Sequence, residues 1–210
     1  MSFTLKRGLS RVFAAKVTAD TVEKYEAENP FHLIPAGEMT RSVESESTPV
    51  YFDNVVFYQS GSEGPTEIGL TGAALRPADV AKLTGKYVDP ETGAVLDTGE
   101  YSEEYWAVGG ETDNTDGTKE YFWFLKGTFD IPEQTDKTKD NTTDTNGMEL
   151  TYSAVQTQHL FEVGGQKKPM KRVVIDTETT ELVADADWVA QVVTPENLAT
   201  VAKKKTAAAE

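Results

Sequence analysis

Five consecutive apolar residues, Tyr121-Phe122-Trp123-Phe124-Leu125, stand in one arm of the stretch EEYWAVGGETDNTDGTKEYFWFLKGTF, Glu103 to Phe129. Between its two aromatic-rich arms lies Asp116-Gly117, a pair that favours the positive backbone angles of a tight turn, so the arms are expected to pair as antiparallel strands. Side chains on a strand alternate between faces, and five apolar residues in a row therefore lay hydrophobic surface on both. Tyr121, Trp123, Leu125 and Phe129 are expected on one face and Phe122 and Phe124 on the other, with Lys126 and Thr128 turning that second face polar. One fold core covers a single face. The other needs a cover of its own.

Elsewhere the pattern is also that of strands and turns. Arg11 to Val17 and Phe31 to Val43 carry short apolar groups punctuated by Pro30, Pro35 and Gly37. A polar stretch, Glu44 to Thr48, leads to a strand at Tyr51 to Gln59, then to the turn-like GSEGP and a further strand at Thr66 to Leu75. LRPADVAKLTG, Leu75 to Gly85, reads as a short amphipathic helix: Pro77 and Asp79 suit its first turn, Val80 and Leu83 share a face, and Gly85 stops it. KYVDPETGAVLDTGEYS reads as a surface loop with room for a small hairpin, and Pro132 to Gly147 as a long polar loop before the strand MELTYSAVQT. KKPMKRVVI reads as one more strand. DTETTELVADADWVAQVV has no period that assigns it, and TPENLATVAKKKTAAAE fits a helix or a frayed arm. The organisation expected is an arm over 1–10, a β domain over 11–176 and an extension of unassigned structure over 177–210.

Chemistry is hard to find. The chain has no cysteine, which removes disulfides and thiolate zinc sites. His32 and His159 have no neighbour at metal or catalytic spacing and read as ordinary strand or loop residues. Asp113 to Gly117 and Asp140 to Gly147 do not meet the calcium-loop pattern, no glycine-rich phosphate cradle is present, and Asn141-Thr142-Thr143 is a glycosylation triplet without a secretion signal beside it. Lys167, Lys168, Lys171 and Arg172 read as guards of a strand edge or partners of acidic neighbours. The expectation is a protein without catalytic residues, cofactor or metal, made in the cytoplasm and not held in a membrane. The net charge of -15, from 35 acidic and 20 basic residues, opposes any broad grip on phosphate backbones.

The order of segments resembles the major tail proteins of long-tailed bacteriophages, notably those infecting Gram-positive bacteria. YFDN and a strand, a helix ending in KLTGKYVDPETG, the hairpin YWAVGGETDNTDGTKEYFWFLKGTF, a loop with Lys137-Thr138-Lys139 and a threonine-rich strand carry the likeness from about Tyr51 to Gln158. The resemblance implies a mainly β fold, a β-sandwich or barrel-like tail tube domain with one flanking helix and extended arms. It also implies hexameric rings that stack into the tube of the virion tail, with the tape measure protein and other tail proteins as partners and viral DNA passing through unbound. On that reading Tyr121, Phe122, Trp123, Phe124 and Leu125 build the subunit core on one face, and the helix from Pro77 or a neighbouring subunit covers the other. Glu44, Glu46, Lys137, Lys139 and Asp140, in polar loops, are the candidates for contacts between rings, along with Met1 to Ser10. The rivals are a binding module of immunoglobulin-like or lectin-like form, expected to be a stable monomer, and a hydrolase using two of the many carboxylates.

Overall fold

The computed structural model describes residues 3–99, 102–132, 147–184 and 186–205. The chain runs β1 (Lys6–Asp20), β2 (Tyr25–Ala27), β3 (Phe31–His32), β4 (Ala36–Phe52), β5 (Val55–Gly72), helix α1 (Pro77–Leu83), β6 (Tyr87–Val88), β7 (Val95–Leu96), β8 (Trp106–Asn114) and β9 (Lys119–Phe129). It continues through β10 (Met148–Val155), β11 (Leu160–Val163), β12 (Gln166–Pro169), β13 (Arg172–Asp176), β14 (Thr180–Leu182), helix α2 (Leu198–Val201) and β15 (Ala202–Lys204). It is mainly β, as the sequence implies, and sandwich-like, with two cores on opposite faces of one sheet.

That sheet has nine strands, antiparallel in every pair, in the order β2-β1-β8-β9-β10-β5-β4, with β3 added to β1 and β13 to β9. It forks at β9. Glu120 to Phe124 pair with β13 along the same edge where Lys126 to Phe129 pair with β10. The sheet also curls until β1 and β4 come within 8 Å of one another, yet they share no ladder, so it stays open at that seam. The β8–β9 hairpin turns where Asp116-Gly117 require it: Gly117 has φ +85°, and the Asp116 carboxylate accepts bonds from the Thr118 amide and hydroxyl. The short hairpin of β6 and β7 occupies the expected surface loop.

All five residues from Tyr121 to Leu125 are at least 92% buried within the single chain, since their exposures run from 0% to 8%. Phe122 and Phe124 belong to a first core with Val12, Val108, Ile68 and Tyr152, capped by Leu33, Ile34 and Leu83 of α1. This face is therefore closed chiefly by the strands of the curling sheet itself, and the expected helix adds only Leu83 at its margin. The opposite face, with Tyr121, Trp123 and Leu125, is closed by Phe161, Trp188, Val189, Val192, Val193 and Val201, a cover neither the helix nor a neighbour supplies. Its cover is the chain's own C-terminal stretch. Two tryptophans lock that stretch to β9 reciprocally: Trp123 Nε1 donates to Trp188 O at 3.0 Å, and Trp188 Nε1 donates to Phe122 O at 3.3 Å. Burying one indole of this kind removes about 200 Å² from water, on the order of 5 kcal/mol of gross stabilisation, and the indole N–H finds its partner as burial requires. Gly109 makes room, because a Cβ there would lie 2.3 Å from the Trp123 ring.

Two sequence expectations along β9 are corrected. Phe129 packs in the first core with Phe122 and Phe124, not with Trp123. The pairing runs Val108 to Phe124 and then Trp106 to Gly127, so β9 holds one extra residue at a bulge, which reverses which face each later side chain takes. Lys126, expected to turn its face polar, is buried instead. Its ammonium meets Asp20 at 2.6 Å with side-chain exposures of 7% and 5%, and it lies 4.3 Å above the Tyr105 ring. Asp20 also accepts the amides of Gln158 and His159. Burial pushes the Asp20 carboxyl up, but these bonds outweigh it and hold it below the ordinary carboxylate value.

The ends of the chain join the sheet. Lys6 to Ser10, within the expected arm, form the start of β1 and pair with β8. Past Asp176, β14 pairs with β15, and the intervening residues fill the second core.

Candidate functional site

The part of the molecule its own cores leave unfinished is the β4–β5 hairpin. Its turn is Asp53-Asn54, with φ of 49° and 64°, the two successive positive angles of a type I′ connection that suits the twist of paired strands. The sequence reading placed a strand straight through these residues and a turn at GSEGP; the structure reverses both. Gly64 and Pro65 lie inside β5 at a register shift, where Val43 pairs with Thr66 and Ser45 with Glu63, a bulge that accommodates a proline without an N–H.

Only the base of this hairpin is built into the sheet, since β10 pairs with β5 from Thr66 to Gly72. Beyond it, Ser45 to Phe52 and Val55 to Glu63 pair with each other and, among the described residues, with no further strand. At ~3.4 Å per residue the projecting arm is about 25 Å long. Near its end, Phe52, Val55 and Tyr58 are 60%, 67% and 61% exposed. A two-stranded ribbon with open edges and apolar tips is marginal by itself in water and is a template for pairing with other chains. Lys171 fastens its root, donating to the Glu63 carboxylate at 2.8 Å and to Gly64 O at 2.7 Å. That Lys171 bond is the main reason the Glu63 carboxyl sits below its ordinary value.

Two ion clusters sit where β8 ends and β9 begins, one per face. Arg11 grips the buried Glu111 with Nε at 2.9 Å and Nη2 at 3.2 Å, and Lys119 approaches the same carboxylate at 3.6 Å. On the other face Glu120 receives Lys6 at 2.9 Å and Arg41 at 3.1 Å. Burial alone would raise the Glu120 carboxyl, but these two bonds hold it below the usual range.

The residues singled out from sequence scatter over these features. Tyr121 to Leu125 are interior, split between two cores. Glu44 is exposed on β4 and Glu46 lies on the same strand, so both belong to the hairpin and not to a loop. Lys137, Lys139 and Asp140 lie outside the described residues. His32 stands edge-on to Phe13, whereas His159 is buried, with its ring nitrogens 3.2 Å from Val22 O and 3.1 Å from Glu196 Oε1. Lys167 faces Glu162 across the β11–β12 ladder. Among the described residues no group of three His, Asp or Glu side chains is gathered as metal ligands, and no helix is long and apolar enough to cross a membrane. Sequence reasoning missed Phe52, Val55 and Tyr58 as the exposed tip. The signal was present in YF-DN-VV, two apolar pairs around two turn-forming residues.

The chemistry available is therefore that of association: open strand edges, apolar tips and an acidic surface. No curated protein matches the chain. The family model for phage tail tube protein matches residues 40–178, well over half the chain, from within β4 to just beyond β13. The chain belongs to the phage tail tube protein family.

Proposed function

We propose that this protein assembles into hexameric rings that stack as the tube of a virion tail, through which DNA leaves the capsid. The observation that carries this reading is the projecting half of the β4–β5 hairpin, which exposes Phe52, Val55 and Tyr58 although both cores of the subunit are already full. A single chain gains nothing from such an arm; a neighbour that pairs with its edges or covers its tip does. The acidic balance supports the conduit role, since a net charge of -15 repels duplex phosphates and lets DNA slide without being held. The tube is assembled in the host cytoplasm with the tape measure protein and other tail proteins. Glu44 and Glu46 on the hairpin, and Lys137, Lys139 and Asp140 in the polar stretch after Pro132, supply contacts between rings.

Negative-stain imaging of the purified protein over a range of concentration and salt tests the reading. Rings or hollow filaments are expected. A strictly monomeric protein at every concentration, with its tail partners added, contradicts it. Replacing Pro132 to Gly147 with a short Gly-Ser linker is expected to leave a folded subunit whose tubes are shorter; tubes of normal length remove that stretch from the interface.

A further inference from the structure

The open seam between β1 and β4 contains an incomplete ion site. Arg41 lies over the Phe122 ring at 4.2 Å and donates Nη1 to Glu120 at 3.1 Å. Its Nε and Nη2 are buried and have no acceptor among the described residues. These two N–H groups lie side by side in the guanidinium plane, the fork edge that matches the two oxygens of a carboxylate. Thr112 lines the same cleft, of about 390 Å³; it is 6% exposed and its hydroxyl is likewise unpartnered. Three buried polar atoms without partners among the described residues adjoin one cleft, and an oxyanion would satisfy all three, each of which is costly to leave unpaired.

The local charge points the same way. Lys6, Arg7 and Arg41 line the cleft with Glu38, and the ion pairs that Lys6 and Arg41 make among the described residues go to one shared carboxylate, Glu120. Burial lowers the Arg41 pKa despite Glu120, the mark of a cation whose partner under-compensates it. In a chain with net charge -15 this is a rare cationic recess.

We infer that the Arg41 edge and the Thr112 hydroxyl receive an Asp or Glu side chain from a second copy of this chain, closing the β1–β4 seam on assembly; this rests on the tube reading. Charge complementarity selects that occupant, since the surface of every other copy is rich in carboxylates. A carboxylate on a short flexible stem reaches a recessed edge between two strands, whereas a duplex phosphate is fixed to a rod that the acidic surface repels. These atoms are closed to solvent in the subunit, so entry requires the cleft to open, and Lys6, Arg7 and Gly8 at its rim are exposed.

The test compares self-assembly of the wild type, Arg41→Lys and Thr112→Val by sedimentation, alongside thermal unfolding of each monomer. Arg41→Lys keeps the charge and the bond to Glu120 but loses the fork. It is expected to melt within about 3 °C of the wild type and to need about tenfold more protein for half-assembly. Thr112→Val, nearly the same shape, is expected to need about threefold more, and it decides the matter if Arg41→Lys fails to fold. Sodium acetate should inhibit wild-type assembly more than sodium chloride of equal ionic strength. Variants that assemble at the wild-type concentration overturn the inference while leaving the tube reading intact. Short duplex DNA that binds the wild-type monomer and not Arg41→Lys also overturns it, by assigning the edge to phosphate. A wild type that never assembles sinks the tube reading and this inference with it.

Discussion

β9 and the outer half of the β4–β5 hairpin are both antiparallel strand structures rich in aromatic residues, yet one is satisfied on every side and the other on almost none. β9 has strands along both edges and a core on each face, the second core completed by Trp188, Val189, Val192 and Val193, more than sixty positions along the chain. The hairpin arm has one strand partner and exposed Phe52, Val55 and Tyr58. The difference frames the proposed division of labour: stability in the doubly covered strand, and association in the arm.

Breaking the β9 side should cost stability first. Trp188→Ala removes the indole bond to Phe122 O and the lid of the second core, and is expected to destabilise the subunit by about 4 kcal/mol in urea unfolding. Asp20→Ala leaves the Lys126 ammonium buried without its partner and is expected to cost about 3 kcal/mol near neutral pH. The pH dependence has a definite sign. The folded Asp20 carboxyl is held below its unfolded value of about 4, so its contribution is complete above that pH and disappears as the pH falls through the lower folded value. The gap between wild type and Asp20→Ala should therefore narrow as the pH falls below about 4, measured by unfolding at each pH.

Smaller changes sharpen the contrast. Gly109→Ala forces a methyl against the immobile Trp123 ring and is expected to cost about 2 kcal/mol. The double change Phe52→Ser with Tyr58→Ser should shift monomer stability by less than about 0.5 kcal/mol, because neither side chain is buried, while abolishing ring or tube formation by electron microscopy. If the hairpin variant unfolds the subunit instead, the division between the two regions is wrong.

What could be read from sequence divides along the same line. The β8–β9 hairpin and α1 were legible because their signals are local: Asp116-Gly117 at a turn, Pro77 at a helix start, Gly85 at its stop. The double burial of Tyr121 to Leu125 followed from alternation alone. Its second cover did not, because Trp188, Val189, Val192 and Val193 lie on irregular backbone and enter the core one at a time, without a period. The bulge that turns Phe129 over depends on the register of β8 against β9, and the burial of Lys126 depends on Asp20, 106 positions away. Glu44 and Glu46, the candidates for contacts between rings, were assigned to a loop, since the polar run ESEST conceals a strand whose partner is the equally polar QSGSEG.

Hydrogen exchange compared between the isolated subunit and the assembled protein tests the division most directly. Amides of Ser45 to Glu63 should exchange fast in the subunit and become protected on assembly, while those of Tyr121 to Leu125 are protected equally in both states. Protection that rises on assembly along β9 and leaves the hairpin unchanged would contradict it.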